Sequence, residues 1–263
     1  MKVVILAGGL GSRISEESHL KPKPMIEIGN RPILWHIMSG YTHFGFDDFV
    51  ICAGYKQDKI KEYFNSLYLY ASDIAFDFRG GSKSVEIMST EIEPWRVTIA
   101  DTGLATQTAG RIKRVRKYVG DETFMLTYGD GVSNVDPEDI LDFHKREGGL
   151  LTITAVRPQQ RFGVLDIEET GQVVSFHEKR SEYGSYVNGG FMVCEPEIFD
   201  IIGSSGIAAD DEDFSSVTME RLAREGKVTA YRHDGFWMCM DTRRDRQQLE
   251  ELWAKGDAPW KVW

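Results

Sequence analysis

The chain has 263 residues, 41% hydrophobic and 27% charged, with a formal net charge of −10 at neutral pH. This suits a globular protein with a sizeable core, and the acidic balance excludes general binding to nucleic acid or to an anionic membrane surface, both of which need a basic face. Cys52, Cys194 and Cys239 form no C-x-x-C pair, no leader pattern is evident and no apolar run approaches the ~18 residues of a membrane span, so a reduced, cytoplasmic, non-membrane protein is expected.

The elements follow in chain order. Val3, Val4, Ile5 and Leu6 predict a buried strand over Lys2–Leu6. Ile33, Ile37 and Tyr41 recur every four residues and predict a helix over Pro32–Phe44. A second strand is expected over Asp48–Ala53, a helix over Gln57–Leu67, a strand over Trp95–Ile99, a strand over Thr123–Tyr128 and a helix over Asp136–Arg146. This alternation predicts an α/β fold with a parallel sheet covered on both faces. Strands are expected next at Leu151–Val156, Gly163–Ile167, Val173–Glu178 and Gly189–Val193, with a hairpin turn at Glu169-Thr170-Gly171. Helices return at Pro196–Ile201 and Phe214–Glu225, then a strand at Lys227–His233, a helix at Asp245–Trp253 and a tail. Residues 70–122 read less clearly, apart from a loop at Arg79-Gly80-Gly81-Ser82. The basic cluster Arg111, Lys113, Arg114, Arg116 and Lys117 reads as a solvated helix face. His36 and His233 read as structural, and the aromatics Trp260, Trp263 and Tyr68–Tyr70 as exposed candidates for a subunit interface.

The first strand empties into a loop with Gly8, Gly9 and Gly11, followed by Ser12 and Arg13. Glycines let backbone N–H groups approach a phosphate closely, and an arginine can hold a phosphate with two parallel bonds. Lys21 and Lys23 follow, with Pro22 and Pro24 stiffening the backbone around Lys23. A glycine turn with three cations at one strand end fits a polyphosphate. The pattern is not a Walker loop, and Ile14 stands where a dinucleotide fingerprint needs its third glycine. Asp130 in Y-G-D-G follows a predicted strand and suits either Mg²⁺ or a type I′ turn. Asp241 in M-D-T precedes a predicted helix and suits either a metal or an N-cap.

The set A-G-G-x-G-[ST]-R followed by K-P-K-P-M resembles the signature of the sugar-1-phosphate nucleotidyltransferases. W-H-I-M (35–38), E-P-W (93–95), D-T-G (101–103), Y-G-D-G (128–131), F-x-E-K (176–179), N-G-G-F (188–191), G-F-W (235–237), M-D-T (240–242) and the tail K-G-x-A-P-W-K-x-W run through the whole chain in order. They resemble the cytidylyltransferase branch that acts on glucose 1-phosphate. The resemblance implies a Rossmann-like three-layer α/β/α domain over 1–263. Residues 1–135, roughly, would form the nucleotide half, and 136–263 a smaller strand-rich sugar-phosphate half with a C-terminal helix and tail. It implies Mg²⁺-assisted transfer of a cytidylyl group from CTP to glucose 1-phosphate, giving CDP-glucose and pyrophosphate. UTP or another hexose 1-phosphate is the alternative pair.

The roles it implies are these. Gly8, Gly9, Gly11 and Ser12 cradle the nucleotide phosphates, and Arg13 and Lys23 are catalytic. Leu6, Ala7, Thr102, Gly103 and Arg111 belong to nucleotide recognition; Arg111 lies in T-A-G-R, where Ala109 replaces a glycine of the family pattern. Tyr128, Glu178, Lys179, Asn188 and Gly189 bind the sugar phosphate. Asp130 and Asp241 hold the metal, with Asp130 also against the nucleotide. A homo-oligomer, a trimer or a hexamer, is implied as well.

Overall fold

The buried run of β1 (Lys2–Ala7) lies in the middle of the molecule, with Val3, Val4 and Ile5 wholly shielded from solvent. The computed structural model describes residues 1–11, 19–90, 92–158, 164–167, 172–177 and 185–263. The main sheet adds β2 (Asp48–Ala53), β3 (Arg96–Asp101), β4 (Phe124–Tyr128), β5 (Leu151–Val156), β6 (Val187–Asn188), β7 (Met192–Cys194) and β8 (Val228–His233). Their order is β6-β5-β7-β4-β1-β2-β3, with β8 alongside β5. β1 pairs in parallel with both β2 and β4, β2 with β3, and β5 with β8, whereas β7 runs antiparallel to β4 and β5. One mostly parallel sheet thus draws strands from both halves of the chain.

Strand alternation divides the core between the two faces. Val3, Ile5 and Ala7 point into one apolar layer, with Ile33, Leu34, Ile37 and Met38 of α1 (Ile33–His43) and with Trp260 of the tail. Val4 and Leu6 point into the other, with Ala109 and Ile112 of α2 (Thr108–Arg114) and with Phe199, Phe214 and Leu222. This is a three-layer α/β/α arrangement. Parallel β1 and β4 both end on the same side of the sheet, where ligands of open α/β folds bind.

One stretch left unread is resolved and three expectations are corrected. Ser72–Asp77 and Ser84–Thr90 form an antiparallel hairpin around the glycine loop at 79–82. It exposes Phe76, Phe78, Val85, Ile87 and Met88, so no buried face gave it a readable pattern. The strand expected over Gly189–Val193 is broken: Gly190 and Phe191 have φ of 77° and 46°, outside the strand region, and pairing resumes only at Met192. Trp260 is 1% exposed rather than at the surface. It lies between Phe236 and Trp253, and its Nε1 donates to His36 Nδ1 at 3.4 Å. The basic cluster is not uniformly solvated either. Arg114 and Arg116 meet Asp210, Asp121 and Asp200, but Arg111 is 5% exposed and faces inward.

The hairpin turn expected at Glu169-Thr170-Gly171 lies outside the described residues, although its flanks, Val164–Ile167 and Val173–His177, pair antiparallel. Among the described residues no helix is long and apolar enough to cross a membrane.

Candidate active site

Beyond the carboxyl ends of β1 and β4 opens a cavity of about 420 Å³. Leu6, Ala7, Gly8, Gly9 and Gly11 form one wall, and Lys23, Tyr128, Asp130, Asp241 and Arg111 also line it. Ten of the residues singled out from sequence are thus brought to one place. Gly8 is required by packing, because a Cβ there would stand 2.2 Å from Arg111 Nη1. Gly129 is required likewise: its Cβ would stand 2.8 Å from Leu6 O and 3.1 Å from Pro24 Cγ.

Lys23 rides on a single tight turn, Lys23–Met25, closed by Met25 N donating to Pro22 O at 2.8 Å. Pro24 and Met25 are buried, which anchors the turn and aims the lysine outward. Its Nζ donates to Asp130 Oδ2 and to Asp241 Oδ1, each at 2.6 Å. Burial lowers the Lys23 pKa, but the two carboxylates outweigh it and hold the pKa above the ordinary lysine value. Lys23 is therefore an ammonium throughout the neutral range.

The two carboxylates arrive from distant parts of the chain. Asp130 follows β4, and Asp241 follows the short strand Trp237–Cys239, which pairs antiparallel with Gly131–Ser133. Met240 N donates to Asp130 O at 2.8 Å, which sets Asp241 beside Asp130. Neither Asp130 nor Gly131 has a positive φ, so the type I′ turn is not the reason for Asp130. The N-cap of α3 (Arg243–Ala254) is Thr242, in a capping box with Asp245. Asp241 is left to face the cavity.

A family model described as "Nucleotidyl transferase" matches residues 2–244. The chain belongs to the nucleotidyl transferase family. It is 49% identical over 264 aligned residues, covering all of both chains, to a glucose-1-phosphate cytidylyltransferase of Salmonella typhi. Among solved structures it is similar to an apo UDP-glucose pyrophosphorylase, with a TM-score of 0.69 at 15% identity over 97% of this chain and 98% of that one. It is also similar to HddC of Yersinia pseudotuberculosis, with a TM-score of 0.68 at 22% identity over 96% of this chain and 99% of that one. Those two likenesses show the nucleotidyltransferase fold.

Several residues expected in the site stand behind it instead. Thr102 is fully buried, its hydroxyl donating to Ala53 O at 2.7 Å, and neither Thr102 nor Gly103 lines the cavity. Arg111 holds this segment: Nη1 donates to Thr102 Oγ1 at 2.8 Å and Gly103 O at 2.7 Å, and Nη2 to Leu104 O at 3.3 Å. Burial lowers the Arg111 pKa, and carbonyl and hydroxyl oxygens compensate a guanidinium that forms no ion pair with a carboxylate among the described residues. Asn188 and Gly189 also lie beyond the lining. Gly189 O accepts from Trp237 Nε1 at 2.7 Å, and a Cβ at Gly189 would stand 2.8 Å from Val156 Cγ1. Ser12, Arg13, Glu178 and Lys179 lie outside the described residues.

The cavity also recruits Thr106, Gln107 and Thr108, at the start of α2, which the sequence reading passed over. The only signal was a run of polar residues before a helical pattern. Cys239 lies beside the carboxylates, its Sγ 3.6 Å from Asp241 Oδ2, and burial pushes its thiol up to about 12, which disfavours the thiolate.

A divalent cation fits Asp130 and Asp241. Their oxygens converge on one point, which the Lys23 ammonium now occupies. Among the described residues no three His, Cys, Asp or Glu gather closely enough to hold a metal alone. Oxygens of a bound nucleotide and water would complete the shell, which is how Mg²⁺ is commonly held.

Proposed function

We propose that this enzyme transfers a cytidylyl group from CTP to α-D-glucose 1-phosphate, giving CDP-glucose and pyrophosphate. The observation that carries the choice of substrates is the 49% identity, end to end, with a glucose-1-phosphate cytidylyltransferase. The cavity supports the chemistry. A phosphate oxygen of the sugar phosphate attacks the α-phosphorus of CTP, a P–O bond forms there, and the α–β bridging P–O bond breaks in line. The electron pair leaves on pyrophosphate. The attacking phosphate is already anionic at neutral pH, so no general base is needed.

The glycine loop offers backbone N–H groups to the nucleotide phosphates. Lys23, turning from the carboxylates to phosphate oxygens, screens the repulsion between the two anions that react. Asp130 and Asp241 hold Mg²⁺, which neutralises phosphate charge and stabilises the leaving group when bound. Arg13, Ser12, Glu178, Lys179 and Asn188 are assigned to the substrate phosphates and sugar hydroxyls on the motif resemblance alone.

We assign the enzyme to the cytoplasm, supported by three free cysteines, two of them buried. We also assign it a homo-oligomeric state, a trimer or a hexamer. The exposed apolar side chains of the 72–90 hairpin support this, since an isolated two-stranded ribbon is marginal in water. Sedimentation of the purified protein as a monomer would contradict it.

The deciding experiment is pyrophosphate release across the common nucleoside triphosphates and several sugar 1-phosphates, with and without Mg²⁺. Release confined to CTP with glucose 1-phosphate and dependent on Mg²⁺ is expected. Release with UTP or another hexose 1-phosphate would overturn the substrate assignment and leave the reaction class. No release with any pair would overturn both.

A further inference from the structure

The segment 209–219 touches both ends of the cavity without belonging to any motif used above. Its backbone braces the start of α2: Gln107 N donates to Asp210 O at 2.8 Å, and Ala109 N to Glu212 O at 3.1 Å. It then forms a wide π-helical turn, Phe214–Met219, in place of an ordinary helix start. Such turns are uncommon and concentrate at functional sites. This one carries Ser215 to Tyr128, with Oγ 3.0 Å from the phenol oxygen, and Met219 to Asn188, whose Nδ2 donates to Sδ at 3.8 Å.

Asp213 links this turn to the start of α2. One oxygen, Oδ1, accepts from Ser215 N at 3.1 Å, Ser216 N at 2.9 Å and Ser216 Oγ at 3.0 Å, and so caps the π turn. The other, Oδ2, accepts from Thr108 Oγ1 at 2.9 Å, and that hydroxyl in turn accepts from Phe214 N at 2.7 Å. Thr108 and Tyr128 both line the cavity, so one carboxylate bonds directly to one lining side chain and caps the turn whose Ser215 meets the other. Burial raises the Asp213 pKa, but the four donors outweigh it and leave the pKa below the ordinary value, so the carboxylate is ionised near neutrality.

We infer that Asp213 is a positioning residue for both substrates: through Thr108 it sets the nucleotide wall, and through Ser215 and Tyr128 it sets the sugar-phosphate wall. The inference rests on the substrate assignment above only for the names of the two ligands. Its two arms hang on different oxygens, which makes them separable. Asparagine keeps an Oδ1 acceptor for the π turn, but its Nδ2 cannot accept the Thr108 proton.

The test measures KM and kcat for each substrate separately. Asp213→Ala is expected to raise both KM values by about tenfold with kcat held within about threefold, the pattern of lost uniform binding. Asp213→Asn is expected to raise KM for CTP and spare glucose 1-phosphate, and Ser215→Ala to do the reverse. A residue with a purely structural role would lower Tm without this split. Unchanged KM values in a folded Asp213→Ala protein, or equal rises for both substrates in Asp213→Asn, would overturn the inference. Where Asp213→Ala fails to fold, the contrast between Asp213→Asn and Ser215→Ala decides. The wild-type enzyme is assayed first. If it uses another substrate pair, the substrate assignment fails and the same split is read with that pair. If it turns over none, calorimetric affinities for CTP and for glucose 1-phosphate take the place of KM.

Discussion

Lys23 and Asp241 meet at 2.6 Å, Nζ to Oδ1, across 218 residues of chain. A second carboxylate, Asp130, holds the same ammonium at the same distance. This three-charge cluster joins the turn after β1, the end of β4 and the entry to α3, so the fold itself assembles it. Lys23→Met is expected to lower kcat/KM on the order of 10³-fold, the scale of removing one preorganised charge donor from a transition state. Asp130 and Asp241 keep 29% and 26% side-chain exposure, so the carboxylates left behind stay partly solvated. Stability should therefore fall by no more than about 2 kcal/mol. Pyrophosphate release and thermal melting of the same preparation check both numbers; near-normal turnover would remove Lys23 from the mechanism.

Asp241 and Thr242 are adjacent, and the structure divides their duties. Thr242 Oγ1 accepts from Asp245 N at 3.2 Å as the cap of α3, while Asp241 holds Lys23. Thr242→Ala should cost about 1 kcal/mol of stability, the usual value of a cap, and leave turnover near normal. Asp241→Asn should do the reverse, cutting turnover and weakening the Mg²⁺ titration with little change in Tm. A Tm loss in Asp241→Asn with normal Mg²⁺ dependence would return Asp241 to the capping role.

Arg111 gives a third prediction. A lysine has a point charge where the guanidinium offers a planar fork, and it cannot reach Thr102 Oγ1, Gly103 O and Leu104 O together. Arg111→Lys should destabilise the protein by about 2–4 kcal/mol, because buried carbonyls lose their donors. It should also weaken nucleotide binding through the loosened loop behind Gly8. Urea denaturation and calorimetric titration with CTP measure the two effects; unchanged urea stability would show that water replaces the guanidinium without loss.

Arg111 also shows what could be read from the sequence and what could not. The parallel sheet, the glycine loop, Lys23, Asp130 and Asp241 were legible because each rests on a local pattern: an apolar run, a glycine turn or a carboxylate at a strand end. The burial of Arg111 was not, because four neighbouring cations look alike in a string, and only the glycine gaps at Gly8 and Gly54 leave room for its guanidinium. Trp260 misled for the same reason. A tail of mixed residues gives no period, and its burial depends on α1 and α3 standing where the sheet puts them. Gln107 and Thr108 are held at the cavity by the braces from segment 209–219, a contact some hundred residues away. The exposed hairpin escaped notice because alternation is informative only when one face is buried.

His36 supplies a prediction in pH. The ring is 1% exposed; its Nε2 donates to Ile28 O at 2.9 Å, and Nδ1 accepts from Trp260 Nε1. This assigns the neutral tautomer with its proton on Nε2. Burial lowers the His36 pKa to about 4, and the nearby charges of Arg31 and Lys261 add to the shift. A histidine whose folded pKa lies below its unfolded value binds more protons when unfolded, so stability rises with pH. The contribution is complete above the unfolded pKa near 6.5, falls as pH drops through the window, and is lost once pH passes below about 4. The full swing is on the order of 3 kcal/mol. Protonation of Nδ1 would also repel the Trp260 N–H and loosen the tail from α1. Thermal melts from pH 7 to pH 4 should therefore show a falling Tm in the wild-type protein and a flatter profile in His36→Asn, where the Ile28 carbonyl keeps an amide donor. Parallel profiles for the two proteins would assign the acid sensitivity to other groups.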